Sequence, residues 1–111
     1  MTSLTQANFV DQSEFEQLIA NNKLVLVDYT APWCGPCKVI SPVVDKLAEE
    51  YCDRVKVVKV DIDQSPENAK QYGVRSIPAI LVFRDQEVVE NVFGLQSYEA
   101  LSNILEIQLR L

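Results

Sequence analysis

Apolar positions along the chain alternate between a helical and a strand rhythm. Phe15, Leu18 and Ile19 recur at helical spacing behind Asp11 and Glu14, which are placed to form a capping box. This spacing predicts a first helix over residues 11–21, with a short strand expected before it near Leu4. LVLVDY, residues 24–29, is a continuous apolar run of strand length, as in a strand buried on both faces. Val39, Ile40, Val43, Val44, Leu47 and Tyr51 mark a long amphipathic helix, with Pro42 inside it and expected to bend it. VKVVKVDI, residues 55–62, is rich in β-branched residues and reads as a strand. Ser65 and Pro66 suit the N-cap and first position of a short helix ending near Tyr72-Gly73. AILVF, residues 79–83, and EVVENVF, residues 87–93, predict a hairpin across the turn Arg84-Asp85-Gln86. Tyr98, Leu101, Ile104, Leu105 and Leu109 line a last helix beginning at Ser97.

The resulting order is β-α-β-α-β-α-β-β-α. Early strands separated by helices need parallel crossovers, and the late pair suits an antiparallel connection. The expectation is an α/β fold: one mixed five-stranded sheet flanked by four helices.

The chain has 111 residues, the length of one domain, expected to span residues 1–111. Its formal net charge of −6 argues against nucleic-acid or anionic-membrane binding, which favours a basic surface. The longest apolar runs are five or six residues, far below a membrane span. The first residues, MTSLTQANFVDQSEFEQ, lack a basic segment followed by an apolar one, so no signal peptide is expected. Three cysteines, an odd number, fit the cytoplasm or another reducing compartment better than a secreted disulfide framework.

Two of those cysteines lie in WCGPCK, residues 33–38. Structural zinc normally takes four Cys or His ligands, whereas the chain has no His and only Cys52 besides the pair, so no metal is expected. A c-type haem site needs His after the second cysteine, where Lys38 stands. A permanent staple across two residues would constrain the unfolded chain little. Redox chemistry remains. At a helix N-terminus the free N–H groups and the macrodipole favour a thiolate at Cys34. Cys37 follows one turn later on the same side, a spacing that permits a disulfide. Gly35 relaxes the turn, and Pro36 fixes φ where an N–H would find no partner.

VDYTAPWCGPCK, the later SIPA and the segment VKVDIDQSPENAKQYGVRSIPAILVF together resemble the thioredoxin family, over residues from about 4 to 109. The resemblance implies a general protein-disulfide reductase. Cys34 would be the nucleophile that forms a mixed disulfide, and Cys37 the residue that resolves it. No cofactor is implied. The implied partners are disulfide-containing target proteins and a thioredoxin reductase, either NADPH-flavin or ferredoxin-linked. The protein is expected to be a monomer and to bind neither nucleic acid nor membrane.

The same resemblance suggests further roles. Asp28 could simply end a strand. Its counterpart in the family is a buried proton relay, and burial would raise its pKa towards neutrality. Lys59 could be a solvated charge, but the resemblance implies that it approaches Asp28. Ile77-Pro78 could be a loop at a strand start; the family has a cis-proline there, opposite the cysteines. Trp33, Ile62, Ser76, Ile77, Pro78, Gly94 and Leu95 match a surface that binds target chains, partly by strand addition. Lys38 is expected to be exposed just past the site. Cys52 is expected to be a small buried apolar residue, with glutathionylation or dimerisation as the other reading.

The chain departs from the family pattern in four places. Thr30 stands where many members carry a second Trp, Tyr29 where Phe is usual, and Ser76 where several have Gly. Arg84-Asp85-Gln86 lacks the Gly often found in that turn. Thr30 and Ser76 alter the surroundings and rim of the site. Two rival readings remain: an oxidase or isomerase on the same fold, against which Gly-Pro between the cysteines counts, and a binding subunit whose cysteines are incidental.

Overall fold

The computed structural model describes residues 7–111, so the strand expected near Leu4 lies outside the described residues. The described elements are β1 (Asn8–Phe9), α1 (Gln12–Asn21), β2 (Leu24–Thr30), α2 (Gly35–Glu50), β3 (Lys56–Asp61), α3 (Pro66–Gln71), β4 (Ala79–Arg84), β5 (Glu87–Phe93) and α4 (Tyr98–Arg110). The five strands form one sheet in the order β1-β3-β2-β4-β5. The pairs β1/β3 and β2/β3 are parallel, while β2/β4 and β4/β5 are antiparallel. This is the expected mixed sheet with helices on both faces.

The middle strand explains its own composition. Leu24 and Leu26 of β2 point into a core closed by Ile40, Val44 and Leu47 of α2 and by Leu101 and Leu105 of α4. Val25, Val27 and Tyr29 point the other way, against Phe15 and Ile19 of α1 and Ala69 of α3. A strand covered on both sides has no polar face to present, hence the continuous apolar run. The second core includes a cluster of rings: Phe15, Tyr72 and Phe83 meet with centroids 5.0–5.6 Å apart.

Local signals decide where elements start. Asp11 caps α1 as expected: its side chain accepts from the Glu14 N–H, and the Glu14 side chain accepts from the Asp11 N–H. Ser97 caps α4 by accepting from the Ala100 N–H. Ser65 stands at the N-cap of α3, but its side chain makes no capping bond. Its own N–H is held by the Asp61 carbonyl instead, 2.9 Å away.

Three expectations need correction. Val39 was assigned to the apolar stripe of α2, yet it is exposed, because the buried stripe runs Cys37, Ile40, Val44, Leu47. Arg84 belongs to β4, so the turn is reduced to Asp85 and Gln86, both at positive φ. Cys52 is exposed rather than buried. The helix ends at Glu50 and Tyr51 takes the inward position, with its hydroxyl bonded to Ser102 and Glu106 of α4. Cys52 is left on the turn that follows.

Candidate active site

β2 delivers the chain to the start of α2, where the two cysteines lie. Cys34 is the N-cap of α2, and Pro36 lies in the helix's first turn. The Cys34 sulfur accepts from the Cys37 N–H at 3.2 Å, and the Cys34 N–H bonds to the Ala31 carbonyl. A side-chain acceptor at an N-cap satisfies a helix N–H that has no partner within the helix. Cys34 and Cys37 are joined in a disulfide, with Cα atoms 5.3 Å apart. A thiolate at this helix N-terminus is favoured by the dipole of α2. Cys34 is 5% exposed and Cys37 1%, so Cys34 is the more exposed residue of the pair.

Ala31, Ile62 and Ile77 pack around the pair. Trp33 is 66% exposed, and its indole N–H donates to Asp63. The Ile77-Pro78 peptide bond is cis. The Pro78 carbonyl accepts from the Gly94 N–H at 2.8 Å. Gly94 is at φ +82°, a conformation that side chains rarely adopt. Leu95 and Ser76 next to these positions are exposed. Ala31, Ile62 and Ile77 thus lie against the disulfide, Asp63 is tied to Trp33, and Gly94 is tied to Pro78. On the other side of Cys37, Lys38 is exposed and borders an open cavity of about 280 Å³ with Thr30, Pro32, Ser41 and Asp61.

Behind the disulfide, alternation along β2 turns Asp28 to the same face as Leu24 and Leu26, beneath α2. Asp28 is 1% exposed, and neither carboxylate oxygen has a hydrogen-bond partner among the described residues. Its pKa is raised to about 7, mainly by burial; the nearby Lys59 charge opposes this and the Asp45 charge adds to it. Lys59 stands opposite Asp28 in the β2/β3 register. It is buried rather than solvated, and its ammonium lies 2.9 Å from Asp45 Oδ1 and 2.7 Å from Ser41 Oγ. Lys59 therefore stands opposite Asp28 on the neighbouring strand but bonds to α2.

Ser41, Asp45 and Asp63 were not singled out in the sequence. A signal existed for the first two: Cys37, Ser41 and Asp45 recur every four residues, placing them on one side of α2.

Comparison with known proteins decides the family. The thioredoxin family model matches residues 6–107. The chain belongs to the thioredoxin family. It is 44% identical over 104 residues to thioredoxin 1 of Synechococcus elongatus, covering 93% of this chain and 97% of that protein. It is 50% identical over 82 residues to thioredoxin of Bacillus subtilis, covering 74% and 79%. Among solved structures, a mutant thioredoxin from Halobacterium salinarum superposes with a TM-score of 0.83 at 38% identity, covering 96% of this chain and 93% of that one. Oxidised mitochondrial thioredoxin 3 of Saccharomyces cerevisiae gives 0.79 at 33% identity, covering 91% and 93%.

Thioredoxins are protein-disulfide oxidoreductases, and the Cys34–Cys37 pair has the geometry of dithiol–disulfide exchange. The activity requires disulfide-containing target proteins and a reductase that restores the dithiol. No helix among the described residues is long and apolar enough to cross a membrane.

Proposed function

We propose that the chain is a general protein-disulfide reductase in which Cys34 is the nucleophile and Cys37 the resolving residue. The observation that carries this reading is the Cys34–Cys37 disulfide at the N-terminus of α2, with Cys34 the more exposed residue of the two. The Cys34 thiolate attacks one sulfur of a target disulfide and releases the other as a thiolate, which takes up a proton. The Cys37 thiol then gives its proton to the Asp28 carboxylate and attacks the Cys34 sulfur. The second target thiolate leaves and is protonated. Two electrons have passed to the target, and the Cys34–Cys37 disulfide remains.

Asp28 fits the relay because burial holds its pKa near the pH at which the protein must work. Lys59 tempers that shift with its charge. Gly35 and Pro36 shape the active-site turn. Trp33, Ile62, Ser76, Ile77, Pro78, Gly94 and Leu95 form the surface on which an extended target segment docks. Its support is the exposure of Trp33, next in the chain to a cysteine that is itself barely exposed, and of Leu95, next to the Gly94 that bonds to Pro78.

The chain acts as a single-domain monomer over residues 1–111 in the cytoplasm or an equivalent reducing compartment. A thioredoxin reductase of the NADPH-flavin or the ferredoxin-linked kind recharges it, and reconstitution with each identifies which. The test of activity is insulin reduction followed as turbidity, with dithiothreitol as the electron source. Strong acceleration by the wild type and none by Cys34→Ser is expected. A wild-type rate equal to that of dithiothreitol alone would overturn the reading.

A further inference from the structure

Asp28 is nearly inaccessible and has no hydrogen-bond partner among the described residues, although a buried ammonium stands opposite it on the neighbouring strand. A lysine in that place would ordinarily turn to the carboxylate, since an unpaired buried charge is costly. Here it turns to α2. Asp45 Oδ1 receives both the Lys59 ammonium, at 2.9 Å, and the Ala7 N–H, at 2.9 Å. Ser41 Oγ accepts a second bond from the same ammonium. The Phe9 ring, from β1, covers the ammonium with its centroid 5.7 Å away. The lysine is thus held by two side chains of α2 and covered by one of β1.

The other groups around Asp28 leave little else to govern its charge. β4 places Ile80 opposite it in the register, and α4 contributes Leu101 and Leu105 to that face of the sheet. β3 contributes Lys59, and α2 contributes Cys37, Ser41 and Asp45. Lys59 and Asp45 are the two charges acting on Asp28, with opposite signs.

We propose that Asp45 is a positioning residue for the proton transfer at Cys37, holding the Lys59 ammonium, with Ser41, off Asp28 so that the Asp28 carboxyl stays unpartnered. The inference rests on the relay assigned to Asp28 above. A direct Asp28–Lys59 pair would keep the carboxylate ionised and reluctant to accept the thiol proton. With Lys59 bonded to α2, the carboxyl takes and gives up that proton readily.

The test combines two readouts. One is the 13C titration of the Asp28 carboxyl. The other is the pH profile of mixed-disulfide resolution, followed by the fluorescence of Trp33, the only Trp in the chain. Asp45→Asn removes the charge but keeps an oxygen for Lys59 and Ala7. Its Asp28 midpoint should fall by ~1 pH unit, with the resolution profile moving to acid alongside it. Lys59→Gln should move both to alkali, and Asp45→Glu should return both towards the wild type. In Asp45→Asn/Lys59→Gln, where no ammonium is left to hold, the fall relative to Lys59→Gln must be smaller than the fall of Asp45→Asn relative to the wild type. If Asp45→Asn does not fold, Ser41→Ala, which removes the second bond to the ammonium, replaces it and must also lower the midpoint. An unmoved midpoint in Asp45→Asn, or in Ser41→Ala where it replaces it, or an equal fall with and without Lys59, overturns the proposal. The relay survives that result if Asp28→Asn abolishes the pH profile. A wild-type profile in Asp28→Asn overturns the relay, and this inference with it.

Discussion

Asp28 and Lys59 face each other across the β2/β3 pairing, yet the Lys59 ammonium is bonded to Asp45 and Ser41, and neither Asp28 oxygen has a hydrogen-bond partner among the described residues. Burying a carboxyl in this way costs folding free energy and yields a group that titrates near neutrality. The disulfide lies at the head of the same helix that holds the lysine. With the relay proposed above, the stability of the protein and its redox chemistry meet at one side chain.

That coupling sets the pH dependence of stability. The Asp28 pKa is raised from 3.8 to about 7. Below the lower value both folded and unfolded chains hold the proton, and the residue costs nothing. Between the two values the unfolded chain releases its proton first, so stability falls as pH rises, and above pH 7 the full penalty applies. The penalty is at most on the order of 4 kcal/mol, before allowance for the cost of burying the replacement amide. Asp28→Asn in the oxidised protein should therefore raise stability by a few kcal/mol at pH 8 and by little at pH 4. Urea unfolding at both pH values checks this; equal effects at the two would show that Asp28 does not titrate near neutrality.

Removing the resolving sulfur should trap the target. With Cys37→Ser, the mixed disulfide on Cys34 has no internal thiol to displace it and should accumulate, while Cys34→Ser should form none at this site. Cys52 is exposed and competes for the same reagents, so both variants belong in a Cys52→Ser background. Intact-mass analysis after mixing with a disulfide-containing protein reads the outcome. Equal adducts in the two variants would remove the distinction between the cysteines.

The cores were legible because burial on two faces leaves a plain mark, as β2 shows: seven residues with no polar face. The caps of α1 and α4 were legible because Asp11 and Ser97 act within one turn of chain. The dithiol was legible because its chemistry needs neighbours in sequence. Asp45 and Ser41 were not, because a polar residue every fourth position on a helix reads equally as a solvated face. Only the packing of α2 over β3 turns that side inward to Lys59. Alternation placed Lys59 on a face of the sheet but could not name its partner. The burial expected of Cys52 follows the general habit of free cysteines, but the stripe already turns Tyr51 inward and leaves its neighbour outside.

A second buried polar pair gives a prediction away from the cysteines. The Tyr29 hydroxyl donates to Asn68 Oδ1 at 2.6 Å, and the Asn68 amide donates to Gln12 at 2.9 Å, linking β2, α3 and α1. Tyr29 and Asn68 are both fully enclosed. Tyr29→Phe leaves the Asn68 oxygen without its donor and should cost ~1–3 kcal/mol, seen as a lower urea midpoint at unchanged slope. Asn68→Leu in the same chain should recover part of the loss. A Tyr29→Phe midpoint equal to the wild type would mean that another donor reaches Asn68.

The β4–β5 turn carries backbone strain that one substitution should relieve. Asp85 is at φ 51° and Gln86 at φ 73°, so both turn residues are left-handed. Such two-residue turns match the twist of the strands they join and favour Gly at the second position. A side chain there costs ~1–2 kcal/mol, whereas glycine loses more freedom on folding, ~0.5–1 kcal/mol. Gln86→Gly should therefore stabilise the fold by ~0.5–1 kcal/mol and raise Tm by ~2–5 °C. Activity should not change. The turn follows Arg84, which pairs with Leu24 at the start of β2, and the cysteines lie beyond the other end of that strand. Differential scanning calorimetry beside insulin reduction separates the two effects. A lower Tm in Gln86→Gly would mean that the Gln86 side chain contributes more than its backbone costs.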